Sequence, residues 1–201
     1  MPPIDKSQVP VEQVPYALSE AELLLAISTR LSITHTLHEG VSAIIAIAKT
    51  EIDAEMGSLF FNDPVTRELF FFPTESDSSH VIRIPNTSGI AGHVFHSGKP
   101  EIIDDPYADP RFNRQVDAET GVITRTILCV PLTSARGEII GVAELINKRS
   151  GTFTEAEMGR FAKMVMIGAL ALKGVHFPEL RSEVRAKLAH FVEPLKRSNE
   201  T

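Results

Sequence analysis

One cysteine and no tryptophan occur in the 201 residues. Cys129 has no intramolecular disulfide partner and no cysteine companion for a metal site, so a reducing, cytoplasmic setting is expected. Positive charge is also short: 20 Lys and Arg stand against 26 Asp and Glu, a formal net charge of −6. That argues against a nucleic-acid binder, which would concentrate basic residues on its surface. No apolar run approaches the roughly 20 residues of a membrane span. Met1-Pro-Pro-Ile-Asp5 has neither the basic nor the apolar region of a signal peptide, and no membrane partner is expected. Phosphate-loop, Gly-x-Gly-x-x-Gly, His-Glu-x-x-His and Gly-x-Ser-x-Gly motifs are all missing, so no catalytic residue, metal or resident cofactor is assigned.

What is present is an ordinary globular composition, 43% hydrophobic and 23% charged, enough for one domain of about 150 residues with flanking segments. Residues 1–17 hold four prolines and no apolar periodicity, and read as a disordered leader. A capping box at Ser19 and Glu22, followed by Leu24, Ile27 and Leu31, predicts an N-terminal helix within residues 18–38. A second box at Thr36 and Glu39 opens a helix carrying Val41, Ile44, Ile45, Ala48 and Ile52, expected to end near Met56-Gly57. Residues 174–201 are read as an amphipathic helix and tail, with Leu180, Val184, Leu188, Phe191 and Leu195 at helical spacing and Pro178 breaking the preceding helix.

Between these ends the period shortens to that of strands. Ser58–Phe61 and Glu68–Phe72, separated by Asn62-Asp63-Pro64, predict a hairpin, and His80–Pro85 a third strand. Gly89–Phe95 has helical spacing, Glu101–Ile103 reads as a short strand, and Asp104–Gly121 as a long loop with a helix over Phe112–Glu119. Thr126–Leu132 is continuously apolar, as in a strand covered on both faces. Glu138–Ile146 alternates, which sets Ile140, Val142, Glu144 and Ile146 on one face. A capping box at Thr154 and Glu157 leads into a helix with Phe161, Met164, Val165 and Leu172. Helices at both ends of hairpin-linked strands define an α+β domain on an antiparallel sheet.

Two residues stand out chemically. Glu144 is a carboxylate in an apolar phase, so it needs a partner, an open edge or a ligand; Arg125 is one candidate partner. Ser58 shares a strand phase with Phe60, opposite Leu59 and Phe61, and points either into a cavity or at backbone. Gly89-Ile-Ala-Gly92 reads as a turn into a helix or as a phosphate cradle. His93 and His96 are neighbours on one helical face without a metal motif, and Cys129 reads as a small core hydrophobe.

Four stretches in order resemble a GAF domain: Gly89-Ile-Ala-Gly-His-Val94, Asp109-Pro-Arg-Phe-Asn-Arg-Gln-Val-Asp-Ala-Glu-Thr-Gly121, Thr124-Arg-Thr-Ile-Leu-Cys-Val-Pro-Leu132 and Gly141-Val-Ala-Glu-Leu-Ile-Asn-Lys148. The likeness, placed over residues 39–173, is to the cyclic-nucleotide-binding GAF domains of phosphodiesterases and bacterial adenylyl cyclases. It implies a six-stranded antiparallel sheet with helices on one face and a ligand-capping layer of loops and short helices on the other. Ser58 and Phe71 or Phe72 would line the base end of the pocket, and Ile90 and Ala91 would offer backbone N–H groups to the cyclic phosphate. Asn113, Asp117, Thr120 and Thr124 would lie in the cap, and Glu144 would reach the pocket. Of the family's Asn-Lys-Phe-Asp-Glu signature, Asn147, Lys148 and Phe153 remain, Glu157 stands where Asp is usual and Met158 replaces the last Glu; a Lys148–Glu157 ion pair would support the pocket wall.

The expected function is that of a regulatory sensor, not an enzyme, which binds cAMP or cGMP and signals through its flanking helices to a homodimer or an output catalytic domain. The alternative is a ligand-free dimerisation module that pairs through the apolar stripes of residues 19–34 and 179–193.

Overall fold

The change of period at residue 53 sets the architecture. In the computed structural model, which describes residues 20–32, 37–72, 83–134 and 136–174, two helices precede the sheet: α1 (Glu20–Ser32) and α2 (Leu37–Ile52). The strands are β1 (Ala54–Asp63), β2 (Glu68–Phe72), β3 (Arg83–Pro85), β4 (Glu101–Ile103), β5 (Ile127–Thr133) and β6 (Ile139–Lys148). Between β3 and β4 lies α3 (Gly89–Ser97), between β4 and β5 a 3₁₀ turn (Pro106–Ala108) and α4 (Arg114–Thr120), and α5 (Glu155–Gly174) follows β6. The leader at 1–17, both capping residues Ser19 and Thr36, and the amphipathic segment from 175 onward lie outside the described residues.

All strands pair antiparallel in the order β3-β2-β1-β6-β5-β4. Leu59, Leu128, Val130, Leu132, Ala143 and Leu145 turn to one face and pack with Ile27 of α1, Ile45 and Ile52 of α2, and Phe161 and Met164 of α5. Phe60, Leu69, Ile127, Cys129 and Val142 turn to the other face and pack with Ile90, Ala91 and Val94 of α3. Period-2 alternation thus feeds two apolar layers, one beneath long helices and one beneath the capping layer.

Four expectations need correction. α2 ends at Ile52, not near Met56-Gly57, because Asp53 takes a left-handed φ of 56° and β1 begins at Ala54. The polar stretch 104–121 carries a 3₁₀ turn that its prolines concealed, with Asp105 accepting from the Ala108 N–H and Pro106 at its first position. Ile140 packs with the helix-side layer and not with Val142 and Glu144. There the register shifts between Leu132, opposite Gly141, and Thr133, opposite Ile139, and the extra residue inverts the strand phase. Ile27, read as part of an unpartnered stripe, is fully buried in its own domain.

Gly141 marks the bulge for a steric reason: a Cβ there would run into the Phe60 carbonyl oxygen of β1. Gly141→Ala is expected to lower stability by at least about 2 kcal/mol, because two paired backbones would have to separate. Urea unfolding with an unchanged m-value would register it.

Candidate functional site

Strand register lines up one row of side chains across the capped face. Ser58 of β1 is paired with Glu144 of β6, Glu144 with Cys129 of β5, and Cys129 with Glu101 of β4. Ser58 and Glu144 sit in apolar strand phases, and both are buried, each 8% exposed. Burial pushes the Glu144 carboxyl up to about 7, opposed by a hydrogen bond from the Cys129 thiol. Desolvation, and then the charge of Glu144, hold the Cys129 thiol far above its ordinary value, so it stays protonated and unreactive. Arg125 is not the partner of Glu144; its guanidinium pairs with Glu55 at 2.7 Å.

Above this row lies α3. Ile90 and Ala91 are in its first turn and are buried, as is Val94. Its N-cap residue, Ser88, makes no side-chain capping bond, and the first turn holds no acidic residue. The N–H groups of that turn have no acceptor within the helix. Gly89 starts the helix at φ 70°, a left-handed value open to glycine. Phe71 joins the capped face beside Phe60, with ring centroids 5.7 Å apart. Phe72 pairs with Leu59 and so holds the alternate register position, which separates it from Ser58 and Phe71.

The capping residues turn out to bind one another. Asn113 is the N-cap of α4: its Oδ1 accepts from the Gln115 N–H at 3.1 Å, and its Nδ2 lies 3.5 Å from Ser88 Oγ. Asp117 is buried and accepts three hydrogen bonds, from Thr124 N at 2.7 Å, Thr124 Oγ1 at 2.7 Å and Tyr107 OH at 2.9 Å. Thr120 closes α4, and its side chain lies outside the described residues. Sequence reasoning missed Tyr107, whose ring packs on Phe112 at 5.2 Å. It also gave no role to Asn147, which holds a φ of 61°. The Asn147 amide accepts from Arg125 N at 2.7 Å and donates to Ile123 O at 3.0 Å, fastening the segment that carries Thr124.

At the far end of β6, Lys148 Nζ meets Glu157 Oε1 at 2.8 Å and also donates to the carbonyl of Ile52, the last residue of α2. Glu157 serves both roles weighed for it. Its other oxygen, Oε2, accepts from Thr154 N at 2.9 Å and Thr154 Oγ1 at 3.0 Å, while its own N–H donates to Thr154 Oγ1. These bonds to Lys148 and Thr154 hold its carboxyl below the ordinary value despite partial burial. The strand bearing Glu144 is therefore pinned to α5 and α2 at one point.

An open cleft of about 270 Å³ lies along α3, lined by Thr87, Gly89, Gly92, His93, His96 and Arg111. None of the proposed ligand residues lines it, although it reaches the first turn of α3 at Gly89. Among the described residues, no group of three His, Cys, Asp or Glu side chains could hold a metal ion, and no helix is long and apolar enough to cross a membrane.

A six-stranded antiparallel sheet with long helices behind it and a capping layer in front defines an α+β domain with one capped face. The family model for the GAF domain matches residues 34–173, and the chain belongs to that family. GAF domains are generally regulatory sensor domains. A probable 3',5'-cyclic phosphodiesterase, pde-5, of Caenorhabditis elegans is 34% identical over 169 residues, a match covering 77% of this chain and 23% of that protein. The chain thus spans about a quarter of that relative's length. Among solved structures, the GAF domain of a phosphoenolpyruvate-protein phosphotransferase from Coxiella burnetii aligns with a TM-score of 0.67 at 21% identity, covering 84% of this chain and 96% of that one. The free methionine-R-sulfoxide reductase from Neisseria meningitidis, solved with its substrate, aligns with a TM-score of 0.60 at 21% identity, covering 77% and 91%. Both share the fold.

Proposed function

We propose that this GAF domain senses a cyclic nucleotide, cAMP or cGMP, and relays its binding through the flanking helices. The observation that carries the reading is the buried Ser58–Glu144 pair, set among Phe60, Val142 and Cys129 beneath a helix whose first turn has no side-chain cap. Evolution toward a plain core would have put aliphatic residues at both positions, since a buried carboxyl is costly. The 34% identity to a probable cyclic phosphodiesterase supports the same ligand class.

In this reading the N–H groups of Ile90 and Ala91 hold the cyclic phosphate. Ser58 and Phe71 flank the purine, and Glu144 bonds its edge. A carboxyl titrating near neutrality is able to donate as well as accept. Because Ile90, Ala91 and Val94 pack on the sheet, a ligand entering there must part α3 from β5 and β6. That displacement loads β6, whose Lys148 is tied to α5 and to the end of α2. Ligand shifts this equilibrium only through a difference in affinity between the two arrangements. A homodimer or an output catalytic domain would read the helices, and the lone buried Cys129 suits a cytoplasmic setting.

Calorimetric titration of nucleotide-free protein with cAMP and with cGMP tests this. Submicromolar binding of one of them, stronger than about −8 kcal/mol, is expected. Absence of binding by both would overturn the reading and favour the ligand-free dimerisation module, to which the close seating of α3 on the sheet also lends itself.

A further inference from the structure

At the β4 end of the polar row, a cluster of charged groups joins the sheet edge to two parts of the capping layer. His93 of α3 places Nε2 3.0 Å from Glu101 Oε1 on β4. Arg111, in the segment leading to α4, donates Nη1 to the same Oε1 at 3.1 Å and places Nη2 2.8 Å from Oε2. On its other side the Arg111 guanidinium grips Asp109, with Nε to Oδ1 at 3.0 Å and Nη2 to Oδ2 at 2.7 Å, and the Arg111 N–H donates to Oδ1 at 2.8 Å. Those bonds raise the Arg111 pKa and hold the Asp109 carboxyl low. Arg111 therefore keeps its charge, and Asp109 keeps its own.

Counting these fixed charges, one guanidinium faces two carboxylates, and His93 supplies the second cation only when protonated. The charged or titratable groups facing it are Glu101 from β4, Arg111 and Asp109 from the capping segment, and His96 from its own helix and the same cleft. His93, His96 and Arg111 line the cleft that also includes Gly89, in the first turn of α3.

We propose that Glu101, held between His93 and Arg111, is a positioning residue that couples the placement of α3 against the capping segment to the protonation of His93. With its proton, His93 adds an ionic attraction to the Nε2–Glu101 contact, whereas neutral imidazole keeps only a hydrogen bond there. The consequence for a ligand held by the first turn of α3 rests on the nucleotide reading; the coupling itself does not. The ion pair is partly exposed, His93 at 46% and Glu101 at 21%, so its effect is modest.

The test is amide hydrogen exchange on the full chain without nucleotide, at about pH 6 and about pH 8 and corrected for intrinsic exchange rates. Glu144→Gln serves as the parent, which removes that carboxyl's own titration. Protection of residues 89–97 and 105–121 is expected to fall roughly two- to five-fold between the two conditions. His93→Gln should abolish the pH dependence, and Glu101→Gln should abolish it equally, with nothing added in the double variant. An unchanged pH response in His93→Gln, or none in the parent, would overturn the proposal. If nucleotide fails to bind while the exchange pattern holds, the latch stands and the nucleotide reading falls.

Discussion

Glu144→Gln is expected to make the domain more stable at about pH 8, by up to about 3 kcal/mol, and to leave it nearly unchanged at about pH 4. The carboxyl is buried in the folded chain, which pushes its pKa up to about 7 from an ordinary 4.5. Between those values the folded state holds a proton that the unfolded state has released, so wild-type stability declines as pH rises through this window and levels off above it. A shift of that size, at about 1.4 kcal/mol per unit, gives the magnitude. Glutamine keeps the shape and still accepts from the Cys129 thiol but carries no charge, so the share of the pH dependence that Glu144 supplies should vanish from its profile. Chemical denaturation of both proteins across the range is the measurement. Parallel profiles would mean that Glu144 is solvated or paired in solution. Under the nucleotide reading, the same substitution should weaken ligand binding, so the position would gain stability at the expense of recognition, as functional sites commonly do.

Glu144 and Ser58 were legible in the sequence for one reason: a strand repeats every two residues, so a polar side chain among aliphatic neighbours of its own phase announces itself. The capping box at Thr154 was equally legible, because its bonds run between residues three apart. Ile140 was not, since its phase depends on where β5 loses register with β6, a pairing decision made between strands. Met56-Gly57 resembles a helix end, yet Gly57 is in β1 because a Cβ there would approach Ile45 of α2 and Leu145 of β6 within 3 Å. Asp53, the actual terminator, is a non-glycine residue at positive φ and leaves no local signal. The capping segment shows the same limit. Resemblance grouped Asn113, Asp117 and Thr124 as ligand residues, but it could not show that Tyr107, ten positions before Asp117, completes their hydrogen bonding.

That network carries the second large effect. Asp117→Ala should cost about 3 kcal/mol or more, because it strands three donors, the Thr124 N–H and hydroxyl and the Tyr107 hydroxyl, two of them on a buried residue. Thr124→Val, which removes one donor and leaves the other two bonded to Asp117, should cost about 1 kcal/mol. The ratio between the two variants separates architecture from recognition. If Asp117 acts chiefly by ordering the cap, hydrogen exchange in residues 105–124 should rise sharply in Asp117→Ala, while the helix-side layer around Phe161 stays protected, since that layer shares no residue with the network. Nucleotide affinity should then follow the loss of cap order, with Asp117→Ala weakening it far more than Thr124→Val. Equal affinity losses in the two variants with cap exchange unchanged would instead make Asp117 and Thr124 direct ligand contacts, which trade their mutual bonds for bonds to the nucleotide.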